Sequence, residues 1–127
     1  MRRLRCERGD GLIDGLLVLG LVLLVVTVTV QLLLYAHARS LAVGAAQDGA
    51  RTGAAGGSGA ARANDVLAAG GGATDGLHAT SSTTDTTFTV EVAGQPPRVF
   101  PVGFALPRVS ERATLPVERY PELERRP

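Results

Sequence analysis

The sequence is short of the residues from which a small domain usually builds a core. Of its 127 residues only 4% are aromatic, with three Phe, two Tyr and no Trp. A single cysteine, Cys6, excludes an intramolecular disulfide. Small domains with thin cores usually gain stability from disulfides, metals, a membrane or neighbouring copies. With disulfides excluded, one of the other three is expected to contribute here.

Motifs for catalysis and metal binding are also missing. The two histidines, His37 and His78, belong to no HxxxH or HExxH pattern and to no Cys/His cluster. No serine stands in a nucleophile elbow. The glycine-rich stretch at 53–59 follows no predicted strand and the chain has no lysine, so it is not a phosphate-binding loop. We therefore predict no enzyme, no catalytic residue, no metal site, no cofactor and no small-molecule substrate.

The charges argue against a nucleic-acid partner. All thirteen basic residues are arginine, and twelve acidic residues leave a formal net charge of +1. Such a balance gives no excess of positive charge to neutralise phosphates. Four of the arginines precede residue 15, and the other nine are balanced by nine acidic residues after residue 35.

What the sequence does have is one long apolar stretch, residues 15–35, in which only Thr27, Thr29 and Gln31 carry polar side chains. About 20 such residues suffice for a helix to cross the ~30 Å hydrocarbon core. We predict a cytoplasmic leader at 1–14 and a transmembrane helix at 15–36. Because the leader is rich in arginine, the positive-inside rule places the rest of the chain on the extracytoplasmic side of the cell membrane.

Two alternatives to a retained anchor exist. A buried helix of a soluble protein would need a larger surrounding domain than 127 residues provide. A cleaved signal peptide is suggested by Ala36-His37-Ala38, which resembles a small-x-small cleavage site. Its apolar region, however, usually has only about 7 to 15 residues. A single-pass anchor is therefore favoured.

The helix is predicted to continue outside the membrane, from residue 11 to residue 51. Tyr35, His37 and Arg39 follow the apolar stretch at alternate positions, as membrane-interface anchors do. Small or apolar residues then recur every three or four positions, which forms one helix face that another helix or a sheet can approach closely. The members of this predicted packing face are Leu34, Ala38, Leu41, Ala45 and Gly49.

The exported segment 37–72 is predicted to hold this helix extension, a Gly/Ala hinge at 53–59 and a short second helix. Ser58 is a suitable N-cap for that helix and Gly70 a suitable end. The alternative is a flexible linker, because about a dozen residues of modest propensity form a marginal helix without packing.

Residues 73–120 are predicted to form a small antiparallel β domain of three or four strands. Apolar and polar residues alternate on both sides of Asp85, and a last strand is expected at 108–114. Residues 121–127 are expected to be a disordered tail. The fold class is therefore α+β with a membrane anchor. The residues expected to face the helix are Phe88, Val90, Val92, Val99, Phe100, Phe104 and Val109.

Four sequence patterns together resemble the TadE-like family of pilin-related proteins, which accompany bacterial tight-adherence (Tad, Flp-type) pilus loci. The resemblance implies a pilin-like fold in which the N-terminal helix anchors in the membrane and packs in a helical bundle. It also implies that the partners are other pilin-like subunits and Tad machinery proteins. The patterns are Arg5-x-x-Arg8-Gly9, Gln31-x-x-Leu34-Tyr35-x-His37-Ala38-Arg39, Ala45-Ala-Gln-Asp-Gly-Ala-Arg51 and Pro116-Val-Glu-Arg-Tyr120.

The resemblance further implies a processing and assembly role for Gly9, Asp10 and Asp14. In the family, a prepilin peptidase cuts after a cytoplasmic glycine, and a glutamate stands fifth in the mature chain. A cut after Gly9 makes Asp10 the first residue and Asp14 the fifth. In an apolar bundle this carboxylate could neutralise a new α-amine and set the stagger between subunits. The chain departs from the family in having Asp for Glu, followed by Gly15.

The sequence therefore favours a non-enzymatic minor pilin or pseudopilin-like component of a Tad pilus or secretion assembly, which assembles through its N-terminal helix and serves cell adhesion. The alternative is a single-pass, membrane-anchored binding or regulatory module of the envelope that enters no filament.

Overall fold

A computed structural model describes residues 10–99 and 106–117. The chain divides into two compact units, Met1–Leu33 and Leu34–Pro127, here called the N-terminal and C-terminal units. The described elements form an α+β fold, as predicted. In chain order they are helix α1 (Asp10–Ala54), helix α2 (Gly59–Ala69), a 3₁₀ turn (Gly71–Thr74) and strands β1 (Leu77–Thr83), β2 (Thr87–Gly94) and β3 (Val109–Pro116).

Helix α1 continues through both units for 45 residues. It begins one residue before the predicted start and ends three residues after the predicted end. Among the described residues it is the one helix that is long and apolar enough to cross a membrane, judged by length and composition. The prediction of a transmembrane helix therefore agrees with the length and composition of α1.

The connection between the helices is a tight turn that follows Ala54. The N–H of Gly57 donates to the carbonyl of Thr52 at 2.9 Å, and Gly56 has a φ of +90°, which glycine adopts without strain. Ser58 occupies the predicted N-cap position of α2, but its side chain makes no capping hydrogen bond. Gly70 ends α2 as predicted, and its N–H donates to the carbonyl of Leu67 at 3.0 Å.

The three strands form an antiparallel meander in the order β1-β2-β3. The register pairs Ala79 with Val92 and Glu91 with Arg112. Every second residue of β2 is buried, as expected for a strand with one face on a core. β3 begins one residue later and ends two residues later than predicted.

The core of the C-terminal unit joins the inner face of the sheet to α2 and to the alanine-rich part of α1. Four of the seven residues expected to face the helix are buried, namely Phe88, Val90, Val92 and Val109. Val99 was wrongly assigned to that face. It follows the end of β2 at Gly94, where strand alternation no longer applies, and it is 50% exposed. Phe100 and Phe104 lie outside the described residues.

One aromatic ring fixes the spacing between these layers. A Cβ atom built on Gly53 would overlap the ring of Phe88, and one built on Gly59 would also lie too close to it. The ring therefore occupies the space that two missing side chains leave open. This position explains why residues 53 and 59 are both glycine.

We expect Gly53→Ala to destabilise the C-terminal unit by about 1–3 kcal/mol, because the new methyl group must displace the Phe88 ring. The matched control is Gly44→Ala, since Gly44 is exposed in the same helix and no atom would lie within 4 Å of its Cβ. That control should stabilise by about 0.5–1 kcal/mol through helix propensity. The stability of both variants is measured by urea unfolding of the purified chain in detergent, with protease sensitivity as the readout. Equal stability of the two variants would contradict the packing described.

Candidate functional site: the long helix α1

The apolar half of α1 exposes large hydrophobic side chains. The side chains of Leu12, Leu17 and Leu33 are 65–69% exposed, and only 6% of the most apolar 18-residue window is buried. Monomeric soluble proteins rarely expose contiguous apolar patches larger than a few hundred Å². An apolar surrounding, either lipid or other helices, is the environment that this surface fits.

The polar side chains in this half are largely satisfied within the helix. The hydroxyl groups of Thr27 and Thr29 donate to the carbonyl oxygens of Leu23 and Val25, each at 2.8 Å. A hydroxyl group that bonds back to its own helix needs no water. These threonines therefore add little cost to placing the helix in an apolar medium.

The start of α1 holds the residues implicated in processing and assembly. The helix begins at Asp10, and Asp14 follows in the next turn. Asp14 is exposed and makes no hydrogen bond or ion pair with any described residue. Both acids stand where the helix dipole favours negative charge. Gly9 lies outside the described residues.

The three predicted membrane-interface residues have different surroundings. Tyr35 is half-buried and packs against the core of the C-terminal unit, whereas His37 is exposed. The Nε of Arg39 donates to Oε1 of Glu111 at 2.7 Å. This hydrogen bond and the charge of Glu111 raise the pKa of Arg39 above its ordinary value. Arg39 thus contacts the chain's own β domain, and Tyr35 packs against the core that α1, α2 and the sheet share.

The predicted packing face is occupied within the chain. Ala38, Ala45 and Gly49 are buried, while Leu34 and Leu41 are half-buried. A Cβ on Gly49 would lie 2.6 Å from the carbonyl oxygen of Gly59 and 2.9 Å from Cβ of Ala63. Helix α2 therefore provides the close partner that the small residues permit.

Four further alanines of α1 are buried and were missed in the sequence, namely Ala42, Ala46, Ala50 and Ala54. Their four-residue spacing was a usable signal. The buried face is wider than predicted because both α2 and the sheet pack on α1.

No group of three or more His, Cys, Asp or Glu able to hold a metal occurs within 10–99 and 106–117. An open groove of about 390 Å³ lies between α1 and β3 and is lined by both apolar and charged side chains. This groove is shallow, and we find no nucleophile and base together in it. Its residues are Val43, Ala46, Gln47, Arg51, Glu111, Arg112, Ala113, Thr114 and Leu115.

The outer face of the sheet is polar and carries a cross-strand ion pair. Arg112 donates to Oε2 of Glu91 at 2.8 Å, and the hydroxyl groups of Thr89 and Thr114 lie 2.9 Å apart. The hydrogen bond from Arg112, followed by its charge, lowers the pKa of Glu91. Because the pair is largely solvated, it contributes modestly to stability.

The lowered pKa of Glu91 predicts an acid-dependent contribution to stability. Its share is fully present above the unfolded pKa, about 4.3, and is lost as pH falls through the lower folded pKa. The difference in unfolding free energy between the natural chain and Glu91→Gln should therefore be constant above about pH 5 and shrink below it. Unfolding curves between pH 3 and 7 measure this. The control is Asp65→Asn, which removes an exposed carboxylate that has no ion pair in the described structure. If the difference in unfolding free energy between the natural chain and Glu91→Gln does not change with pH, the pairing is contradicted.

Comparison of the chain with protein-family models, with curated proteins and with solved structures gave no match.

Proposed function

We propose that the chain is a membrane-anchored, non-enzymatic minor pilin or pseudopilin-like subunit of a Tad (Flp-type) pilus or secretion assembly. The observation that carries the proposal is the division of α1 into two chemically different halves. Its C-terminal half is buried under the chain's own β domain, whereas its N-terminal half exposes large apolar side chains. Such an N-terminal half suits a bilayer before assembly and a bundle of like helices afterwards.

The small residues near the start of α1 support helix contacts there. Gly11 and Gly15 form a Gly-x-x-x-Gly pattern, and no atom would lie within 4 Å of a Cβ on either residue or on Gly20. This pattern lets two helix backbones approach closely in an apolar medium. The small-residue face further along α1 is already filled by α2, so the N-terminal half is the part of the helix that remains for other subunits.

The acidic start of the helix supports the same assignment. A cut after Gly9 would create an α-amine at Asp10, one turn before Asp14. A neighbouring subunit's amine and the Asp14 carboxylate would form an ion pair inside an apolar bundle, and breaking such a pair is costly. The resemblance of Arg5-x-x-Arg8-Gly9 to the leader of TadE-like proteins agrees with this mechanism.

Membrane topology is tested with cysteines at the two ends of the anchor. In a strain without prepilin peptidase, which would otherwise remove Cys6, a membrane-impermeant maleimide should leave Cys6 unlabelled in intact cells. The exposed Ser82→Cys, placed in a Cys6→Ser background, should be labelled. Permeabilised cells, in which both label, provide the control. Labelling of Cys6 in intact cells would reverse the orientation, and recovery of the chain in the soluble fraction would exclude the anchor.

Assembly is tested by deleting the coding sequence from its bacterium. We expect fewer surface pili in electron micrographs and weaker adherence, with both restored by the natural chain and by Asp14→Glu. Asp14→Lys, at equal protein level by immunoblot, should restore neither, because a second cation would face the amine. The intact mass of the membrane-extracted chain should show that residues 1–9 are absent.

Normal pili and adherence in a clean deletion would overturn the filament role. They would favour the alternative of an anchored envelope module, which has the same helix but no filament partner. A mass that retains residues 1–9 would remove the processing step while leaving the anchor in place.

A further inference from the structure

We infer that the open edge of β3 binds an extended segment of a different protein, and that this segment carries a carboxylate that meets Arg51. The inference rests on the membrane anchoring proposed above but not on the assignment to a Tad pilus. It follows from a difference between the two edges of the sheet: a side chain of α2 bonds to the backbone of β1, whereas no described residue pairs with the outer edge of β3.

The edge at β1 is closed by a side chain of α2. The N–H of Ala79 donates to Oδ1 of Asn64 at 3.0 Å, and Nδ2 of Asn64 donates to the carbonyl of Ala79 at 3.3 Å. One amide side chain thus makes the two bonds that a neighbouring strand would make. A further strand is blocked at this position.

Among the described residues, none pairs with the outer edge of β3. The N–H of Val117 donates to the carbonyl of Thr86 at 2.9 Å. In this antiparallel register, the backbone N–H and C=O groups of the odd-numbered residues of β3 therefore bond to β2. The backbone groups of Ser110, Arg112 and Thr114 therefore point away from the sheet, and no described residue bonds to them. Pro116, which has no N–H, ends this row of donors, so the edge fits a short strand.

A groove beside this edge can receive the side chains of such a strand. It separates α1 from the inner face of β3, where Ala113 and Leu115 are only half-buried. Arg51 lines the groove next to Leu115, and its guanidinium makes no hydrogen bond or ion pair with any described residue. An added strand would cover the two apolar side chains and bring its own side chain to Arg51.

A second copy of this chain is a poor occupant of the groove. Antiparallel pairing with β3 of a second copy supplies no carboxylate for Arg51, because Glu111 is the acidic residue of that strand and is already paired with Arg39. Parallel pairing with β1 of a second copy is blocked because Asn64 already holds Ala79.

The occupant assigned here is a strand from another protein, and its chemistry follows from the groove. Glu111 is already paired with Arg39, and Arg112 with Glu91, so Arg51 is the cation in the groove that lacks a partner among the described residues. The segment therefore needs Asp or Glu opposite Leu115, flanked at alternate positions by apolar residues of moderate size.

The test uses two synthetic probes and the full chain, labelled with ¹⁵N, in detergent micelles. One peptide is Ser-Thr-Val-Thr-Glu-Thr-Val-Thr-Ser, which reads the same in both directions, and the other has Lys in place of Glu. The Glu peptide should shift the amide resonances of Arg112 and Thr114 and bind about two- to fivefold more tightly than the Lys peptide. Arg51→Glu should reverse this order, whereas Arg98→Glu, outside the groove, should preserve it.

Backbone pairing is tested separately. Thr114→Pro removes one outward N–H and should abolish the shift of the Arg112 amide, whereas Thr114→Ala removes the same hydroxyl group and should retain that shift. The inference is overturned if neither peptide shifts these amides, or if Arg51→Glu leaves the peptide order unchanged. It is also overturned if the same amides broaden with protein concentration in the absence of peptide, because the occupant is then a second copy. None of these readouts depends on pili, so their failure leaves the proposed filament role standing.

Discussion

The C-terminal unit depends on the contact between the Phe88 ring and two glycines, Gly53 and Gly59. With so few aromatic residues, this domain cannot fill its interior with large side chains. It instead brings backbones close together, and the Phe88 ring occupies the space beside Gly53 and Gly59. The alanines that line the rest of α1 each bury little area, so the hydrophobic gain comes from many small contacts.

The two halves of α1 therefore differ in side-chain size and in burial. The alanine half can be covered by a short helix and a three-stranded sheet because small residues let both approach closely. The half with large Leu and Val side chains exposes them instead, with Leu12, Leu17 and Leu33 the most exposed of those named above. One helix thus carries a buried small-residue segment and an exposed segment of large apolar side chains.

The polar contacts decide orientation and partner choice more than stability. The pairs Arg39–Glu111 and Glu91–Arg112 are solvated, and such pairs contribute little free energy. They do hold α1 beside β3 and leave Arg51 without a described partner. Asn64 acts similarly at the opposite edge, where it satisfies Ala79 and leaves β3 as the edge that can take another strand.

The sequence by itself determined the helix, its apolar half and the strand pattern, because hydrophobic periodicity and β-branched alternation are local signals. It also indicated that α1 has a small-residue face, since Ala38, Ala45 and Gly49 recur at helical spacing. Only the tertiary structure decided that α2 and the sheet of the same chain cover this face, and that Arg39 reaches a carboxylate 72 residues away. Only the tertiary structure, likewise, showed that Asn64 bonds to the backbone of Ala79 at the edge of β1. These contacts join residues far apart in the chain, and no local pattern encodes which distant partner a side chain will meet.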